Sequence, residues 1–200
     1  MKSIFFSLIM LFSLILNATA QDRIIAATSA ETKPLLVGQT TPNVDLVDLE
    51  GKSVKMLSVI KEKPTVLVFF RGGWCPYCNA QLIDLRKALP MIEELGYQLV
   101  AVSPDTFEKS GENLNKNNLN FRLLSDPTMD AITSFGLAYR APEKYKNTLR
   151  EYSNNKNEDV IPIPTVYVVD KNGLIQFQYA NTDFTKRISS KMLINVLKLL

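Results

Sequence analysis

The 200-residue chain contains no histidine. That excludes histidine-ligated metal sites, cysteine–histidine and serine–histidine nucleophile pairs, and a histidine pH switch. Cysteine is scarce as well, with Cys75 and Cys78 the only two. A tetrahedral zinc site would need a second ligand pair, which the chain cannot supply. Charge of one sign does not accumulate either. The 23 basic and 20 acidic side chains leave a net +3 and are interspersed, so the basic stripe of a nucleic-acid-binding protein is missing. The composition therefore predicts no metal site and no nucleic-acid partner, and chemistry carried by the two thiols needs no organic cofactor.

Long apolar runs are also lacking, except at the start, MKSIFFSLIMLFSLILNATAQD. There Lys2 gives a short basic beginning, Ile4 to Leu16 is apolar but for serines, and Ala18-Thr19-Ala20 supplies small residues for cleavage. This is the layout of a secretory signal peptide, cut between Ala20 and Gln21. Its 13 residues fall short of the ~20 that a membrane-spanning helix needs. Export is expected, with no membrane attachment after signal removal. No Asn-x-Ser/Thr sequon remains beyond residue 20, which fits a bacterial periplasm. The remainder divides into a polar leader, residues 21–36, and one domain, residues 37–200, long enough to bury a proper core.

Along that domain, strands and helices alternate. Asn43 to Leu49 alternates apolar and polar residues as a half-buried strand does, and Glu50-Gly51-Lys52 turns into a short strand near Val54 to Met56. Thr65 to Phe70 is an unbroken β-branched and aromatic run, suited to a central strand covered on both faces. Arg71-Gly72-Gly73 interrupts it. From Cys75 the positions Leu82, Leu85, Leu89 and Ile92 recur at helical spacing, with Pro90 expected to kink or divide the helix and Gly96 to end it. Tyr97 to Ser103 reads as a strand, Lys109 to Asn117 as a polar surface helix, and Phe121 to Leu124 as a short strand. Asp126-Pro127 opens a helix through Phe135. Residues 136–161 give no clear pattern. Thr165 to Val169, a turn at Asp170 to Gly173, and Leu174 to Tyr179 form a hairpin. A final helix over about 184–200 should pack Ile188, Met192, Val196 and Leu199 on the core. This order implies a mixed sheet with helices on its faces, in the α/β class.

Two cysteines in an exported protein usually signal a structural disulfide. A Cys75–Cys78 bridge closes so short a loop that it constrains the unfolded chain very little. These thiols are there to react. Cys75 follows a buried strand, crosses a Gly-Gly turn and begins a helix, where unpaired N–H groups favour the thiolate. Arg71 can add a cationic field, and Pro76 suits the first helical turn. Cys78 lies one turn on, within reach but more shielded. Cys75 is thus assigned the attacking role and Cys78 the resolving one.

Trp74-Cys75-Pro76-Tyr77-Cys78 resembles the WCxxC motif of the thioredoxin superfamily, with CPYC the form common in glutaredoxins. Ile163-Pro164-Thr165 before an apolar strand is similar to the cis-proline segment that faces the dithiol in that fold. A wider resemblance, over about Val37 to Tyr139, is to the peroxiredoxins (the alkyl hydroperoxide reductase C and thiol-specific antioxidant family). It rests on VGQTTP followed by DLVDLEGK, on VLVFFRGGWCPYC, on LVAVSPD and on LLSDP. These resemblances imply a thioredoxin-like fold, a central mixed β-sheet flanked by helices. They also imply a peroxidatic role for Cys75 and substrate contacts from Trp74, Tyr77, Pro164 and Thr165. The sequence departs from the peroxiredoxin pattern at Gly72, where that family carries Thr or Ser, and at Pro164, where it carries arginine.

Three functions stay open at this point. One is peroxide reduction through a Cys75 sulfenic acid that Cys78 condenses with, reset by an external thioredoxin-like dithiol. Another uses the same residues on a protein disulfide through a mixed disulfide at Cys75. In a third, non-enzymatic reading, the pair senses redox state and residues 136–161 form a partner surface.

Overall fold

The computed structural model describes residues 24–200; the expected signal peptide and its cleavage point lie outside the described residues. In chain order the elements are β1 (Asp45–Val47), β2 (Ser53–Lys55), α1 (Met56–Glu62), β3 (Thr65–Phe69), α2 (Pro76–Glu94), β4 (Gln98–Ser103), α3 (Phe107–Lys116) and β5 (Arg122–Ser125). They continue with α4 (Asp130–Ser134), β6 (Ala138–Arg140), α5 (Lys146–Ser153), β7 (Val160–Pro162), β8 (Thr165–Val169), β9 (Ile175–Ala180) and α6 (Ser190–Leu197). Single 3-10 turns stand at Ser29–Glu31 and Glu143–Tyr145.

Strand β3 shows why the sheet is mixed and two-faced. All five of its residues are buried, and it pairs in parallel with β4 and antiparallel with β8. The seven-stranded order is β2-β1-β5-β4-β3-β8-β9, and β6 and β7 form a separate ribbon. Alternate side chains of a strand point to opposite faces. Leu67 and Phe69 accordingly join a core with Phe135 and Tyr167. Val66, Val68 and Phe70 join the other core, which holds Cys75, Cys78, the apolar side of α2, and Leu193 and Leu197 of α6. The dithiol thus sits on the sheet face covered by α2 and α6.

Several local expectations need correction. Helix α2 runs unbroken through Pro90, which lies inside it and does not divide it. Helix α6 begins at Ser190 rather than near 184, because the Ser189 hydroxyl accepts from the Met192 N–H and starts it there. Its buried face is Leu193, Ile194 and Leu197, while Met192 and Leu199 are exposed and Val196 is half-buried. Helix α3 is more than a solvated surface element: Ser110 and Asn113 are buried, and the Ser110 hydroxyl meets that of Ser125 at 3.1 Å. Residues 24–36 hydrogen-bond to the domain, with Lys33 N–H donating to the Gly136 carbonyl and Leu35 N–H to that of Phe135 (both 3.1 Å). The patternless stretch contains β6, α5 and β7, and its polar side chains build the turn: Asn157 Nδ2 donates to the Val160 carbonyl, and Ser153 Oγ to that of Asn157 (both 2.8 Å).

Phe69, Phe135 and Tyr167 form a ring cluster with centroid separations of 4.7, 6.2 and 5.4 Å on the face away from the thiols. The substitution Phe135→Ala should cost about 3–5 kcal/mol of unfolding free energy, the usual range for emptying a buried aromatic site. Urea denaturation would measure it, with the alkylation rate of Cys75 in the folded protein unchanged because the cavity opens on the opposite face.

Candidate active site

The site is built where β3 ends. Phe70 N–H still pairs with the Val102 carbonyl at 3.0 Å, after which Gly72 turns the chain at φ +137°. Cys75 N–H donates back to the Gly72 carbonyl (3.1 Å), and Cys75 becomes the N-cap of α2, its own carbonyl accepting from Asn79 N–H (3.1 Å). Pro76 occupies the first helical turn, where no amide proton is needed. The loop is pinned from both sides. Gly73 N–H donates to Asp105 Oδ2 (2.7 Å), and Asn79 Nδ2 donates to the Gly73 carbonyl (2.8 Å).

Arg71 is 2% exposed. Its guanidinium carbon lies 4.2 Å from the ring centre of Phe184, 4.8 Å from Tyr145 and 5.0 Å from Trp74. From within that cage Nη1 reaches Cys75 Sγ at 4.0 Å. Burial opposes the charge, but Tyr145, Cys75 and Tyr139 outweigh it and the guanidinium stays protonated. A second arginine closes the other side. Arg187 Nη2 donates to Cys78 Sγ at 3.4 Å, Nη1 to Gln81 Oε1 at 2.9 Å and Nε to the Phe184 carbonyl at 2.9 Å.

The two thiols are free and both are buried, Cys75 at 1% and Cys78 at 0% exposure. Their acidities diverge. The Cys78 thiol, donating toward the Cys75 sulfur, is the strongest influence pulling Cys75 down. Burial resists it; the Cys78 N–H and the charges of Arg71 and Arg187 reinforce it, leaving Cys75 at about 6. Burial and then the adjacent Cys75 push Cys78 well above the ordinary thiol range. One thiol is poised as a nucleophile and the other is held as a proton carrier. Asp105, fully buried beside the loop, is raised by burial to about 7 against the Gly73 N–H and the Ser103 hydroxyl. Among the described residues no group of three or more metal-ligating side chains stands together.

The residues expected at the site are placed unevenly. Arg71, Trp74, Cys75 and Cys78 converge. Tyr77 is 47% exposed and meets Phe184 edge-on at 5.6 Å. Pro164 and Thr165 are buried at the start of β8, where Thr165 pairs with Phe69. The expectation of a cis peptide at Pro164 is corrected: no peptide bond among the described residues is cis. Here Ile163 and Pro164 link strand β7 directly to β8.

Arg187, Phe184, Tyr145 and Asp105 were not singled out in the sequence. Asp105 sits in the LVAVSPD segment, which carried part of the family resemblance but gave no role to its aspartate. Arg187 comes from the far end of the chain, and no spacing rule connects it to Cys78.

The profile of the AhpC/TSA family matches residues 37–178. The chain belongs to that family. Its curated relatives include peroxiredoxin Bcp of Bacillus subtilis, 31% identical over 137 residues (68% of this chain, 80% of that protein). Chloroplastic peroxiredoxin Q of Sedum lineare is 31% identical over 144 residues (72% and 68%). Among solved structures, reduced Prx3 from Vibrio vulnificus in complex with hydrogen peroxide superposes with a TM-score of 0.70 at 16% identity, over 82% of this chain and 96% of that one. Peroxidoxin BcpB from Mycobacterium tuberculosis gives 0.66 at 18% identity, over 82% and 97%. The fold is the thioredoxin-like one of the peroxiredoxins, and the chain is a thiol-based oxidoreductase.

Within this AhpC/TSA site the glycine at position 72 has a geometric cause. A Cβ there would stand 2.4 Å from Trp74 Nε1 and 2.6 Å from Asp105 Oδ1, on a backbone of positive φ. The space a Thr or Ser side chain would enter is already filled. Restoring the hydroxyl as Gly72→Thr should therefore lower the peroxide rate rather than raise it. It should also destabilise the fold by at least about 1–3 kcal/mol, the scale of backbone strain at such positions. Thermal unfolding together with stopped-flow oxidation would check both.

Proposed function

We propose that this protein reduces peroxides through Cys75, with Cys78 resolving the oxidised cysteine as an intramolecular disulfide and an external thioredoxin-like dithiol resetting the pair. The observation that carries the reading is the opposed tuning of the two sulfurs: Cys75 lowered at a helix start beside Arg71, Cys78 raised one turn away. The Cys75 thiolate attacks one peroxide oxygen and the O–O bond breaks. The departing alkoxide or hydroxide takes up a proton, and Cys75 is left as a sulfenic acid. Cys78 then displaces hydroxide from the Cys75 sulfur, and water leaves. Two electrons have passed from the thiols to the peroxide. The reductant returns them by thiol–disulfide exchange. Arg71 stabilises the attacking thiolate and the negative charge that develops as the O–O bond lengthens. Membership of the family supports this reading, as does the apolar N-terminal run for an exported, periplasmic setting.

Exchange on a protein disulfide remains the second reading. The exposed Tyr77 ring beside the dithiol favours it, since an aromatic surface there could receive a polypeptide. The burial of Pro164 and Thr165 counts against a broad docking surface.

Mixing the reduced protein with one equivalent of hydrogen peroxide, an organic peroxide or a scrambled disulfide protein separates the two. Stopped-flow oxidation of Cys75 should discriminate strongly in favour of a peroxide. With glycine at 72, the rate should stay below that of a peroxiredoxin bearing the hydroxyl. A peroxide rate no faster than a free thiolate of matched acidity, beside fast reaction with the protein disulfide, would make it an exchange catalyst.

A further inference from the structure

The segment between β9 and α6 crosses back over the start of α2, folded on itself by a turn at one end and hydrogen-bonded to α2 at the other. Asp183 Oδ1 accepts from Thr185 N–H (2.9 Å) and Oγ1 (2.7 Å), which closes a turn and presents Phe184 to Arg71. Ser190 N–H and Oγ donate to Asp84 of α2 at 2.8 and 3.0 Å. Arg187 is held between these two points. Its guanidinium has two neutral oxygen acceptors, on Gln81 and Phe184, and one sulfur, on Cys78. Among the described residues no salt bridge involves it. A partly buried cation with only neutral oxygen partners is left with charge to spare.

We propose that Arg187 is a catalytic residue of the resolving step, holding Cys78 as a thiolate for attack on oxidised Cys75. This rests on the reading that Cys78 resolves. In the reduced protein burial, and then the adjacent Cys75 thiolate, suppress ionisation of Cys78. Once peroxide has converted Cys75 to a sulfenic acid, that negative charge is gone. The Arg187 guanidinium, 3.4 Å from Cys78 Sγ, then faces a single thiol and stabilises its anion. The Cys78 proton leaves, its sulfur attacks Cys75 Sγ, the S–S bond forms and the S–O bond breaks. The departing hydroxide takes the proton as water, so the step is neutral overall. The site thus carries one arginine for each half-reaction, Arg71 for oxidation and Arg187 for resolution.

The test is a single turnover of the reduced full-length chain with one equivalent of hydrogen peroxide, quenched with dimedone at successive times. Mass spectrometry then counts Cys75 sulfenic acid and Cys75–Cys78 disulfide in wild type, Arg187→Gln and Arg187→Lys. Wild type should form the disulfide with little dimedone adduct. Arg187→Gln should accumulate the adduct, its disulfide forming about tenfold more slowly or worse through loss of a charge-assisted hydrogen bond. Arg187→Lys keeps the charge without the planar fork and should recover part of that rate. If Arg187→Gln resolves as fast as wild type, the proposal is overturned. It is equally overturned if both variants slow alike and in step with a fall in melting temperature, since Arg187 then only ties the segment to α2. Failure of wild type itself to form the disulfide would instead remove the resolving role of Cys78, and the role of Arg187 with it.

Discussion

A buried positive charge organises this molecule's chemistry. Arg71 is withdrawn from water at the end of the central strand, with aromatic faces of Phe184, Tyr145 and Trp74 around it and Cys75 Sγ in front. Among the described residues the ion pairs lie on the surface, Lys55–Asp45 and Arg122–Glu62 for example, and none includes Arg71. Ring quadrupoles attract a guanidinium, yet they carry no net charge. A charge so placed remains costly until an anion meets it. The Cys75 thiolate is the anion in reach. Its ionisation and the burial of Arg71 therefore support each other.

The surrounding structure serves to hold that pair at a fixed separation. Strand β3 places Arg71 because its pairing with β4 continues one residue past the strand, to Phe70. Gly72 then turns the chain inside a space that admits no side chain, and Asp105 takes the Gly73 N–H that the turn exposes. Helix α2 begins at once, so the sulfur of its N-cap residue lies under the influence of the Cys78 N–H as well as the cation. Where related enzymes are expected to set a hydroxyl beside the reactive sulfur, this chain has a glycine and an aromatic cage. The C-terminal crossover contributes twice, Phe184 to the cage and Arg187 to Cys78.

What could be read from the residues was whatever depends on neighbours in sequence. The buried run at β3, the helical spacing after Cys75 and the β8–β9 hairpin all follow from local pattern, and the structure has each. The α/β class follows from their order. Pro90 does not divide the helix, because a proline inside a long helix removes one hydrogen bond while the packing of Leu82, Leu85, Leu89 and Ile92 maintains the rest. The last helix misled because its apolar residues fit more than one face, and the anchorage of Ser190 to Asp84 chooses between them. Arg71 was visible as a nearby cation; its burial was not, since the rings that enclose it come from residues 74, 145 and 184. Arg187 was invisible for the same reason, its contact with Cys78 arising only when the chain's end folds back over α2.

The interdependence of Arg71 and the Cys75 thiolate is tested most directly by the pH profile of Cys75 alkylation in wild type and in Arg71→Gln, with Arg71→Lys as a charge-retaining control. Only the thiolate reacts, so the rate should fall as pH drops through the acidity of Cys75. In wild type that midpoint should lie at about 6, with Cys78 unlabelled throughout. Loss of the guanidinium charge should move the midpoint upward, and lysine should recover part of the shift. A wild-type midpoint in the ordinary thiol range, or one that Arg71→Gln leaves unmoved, would contradict the account.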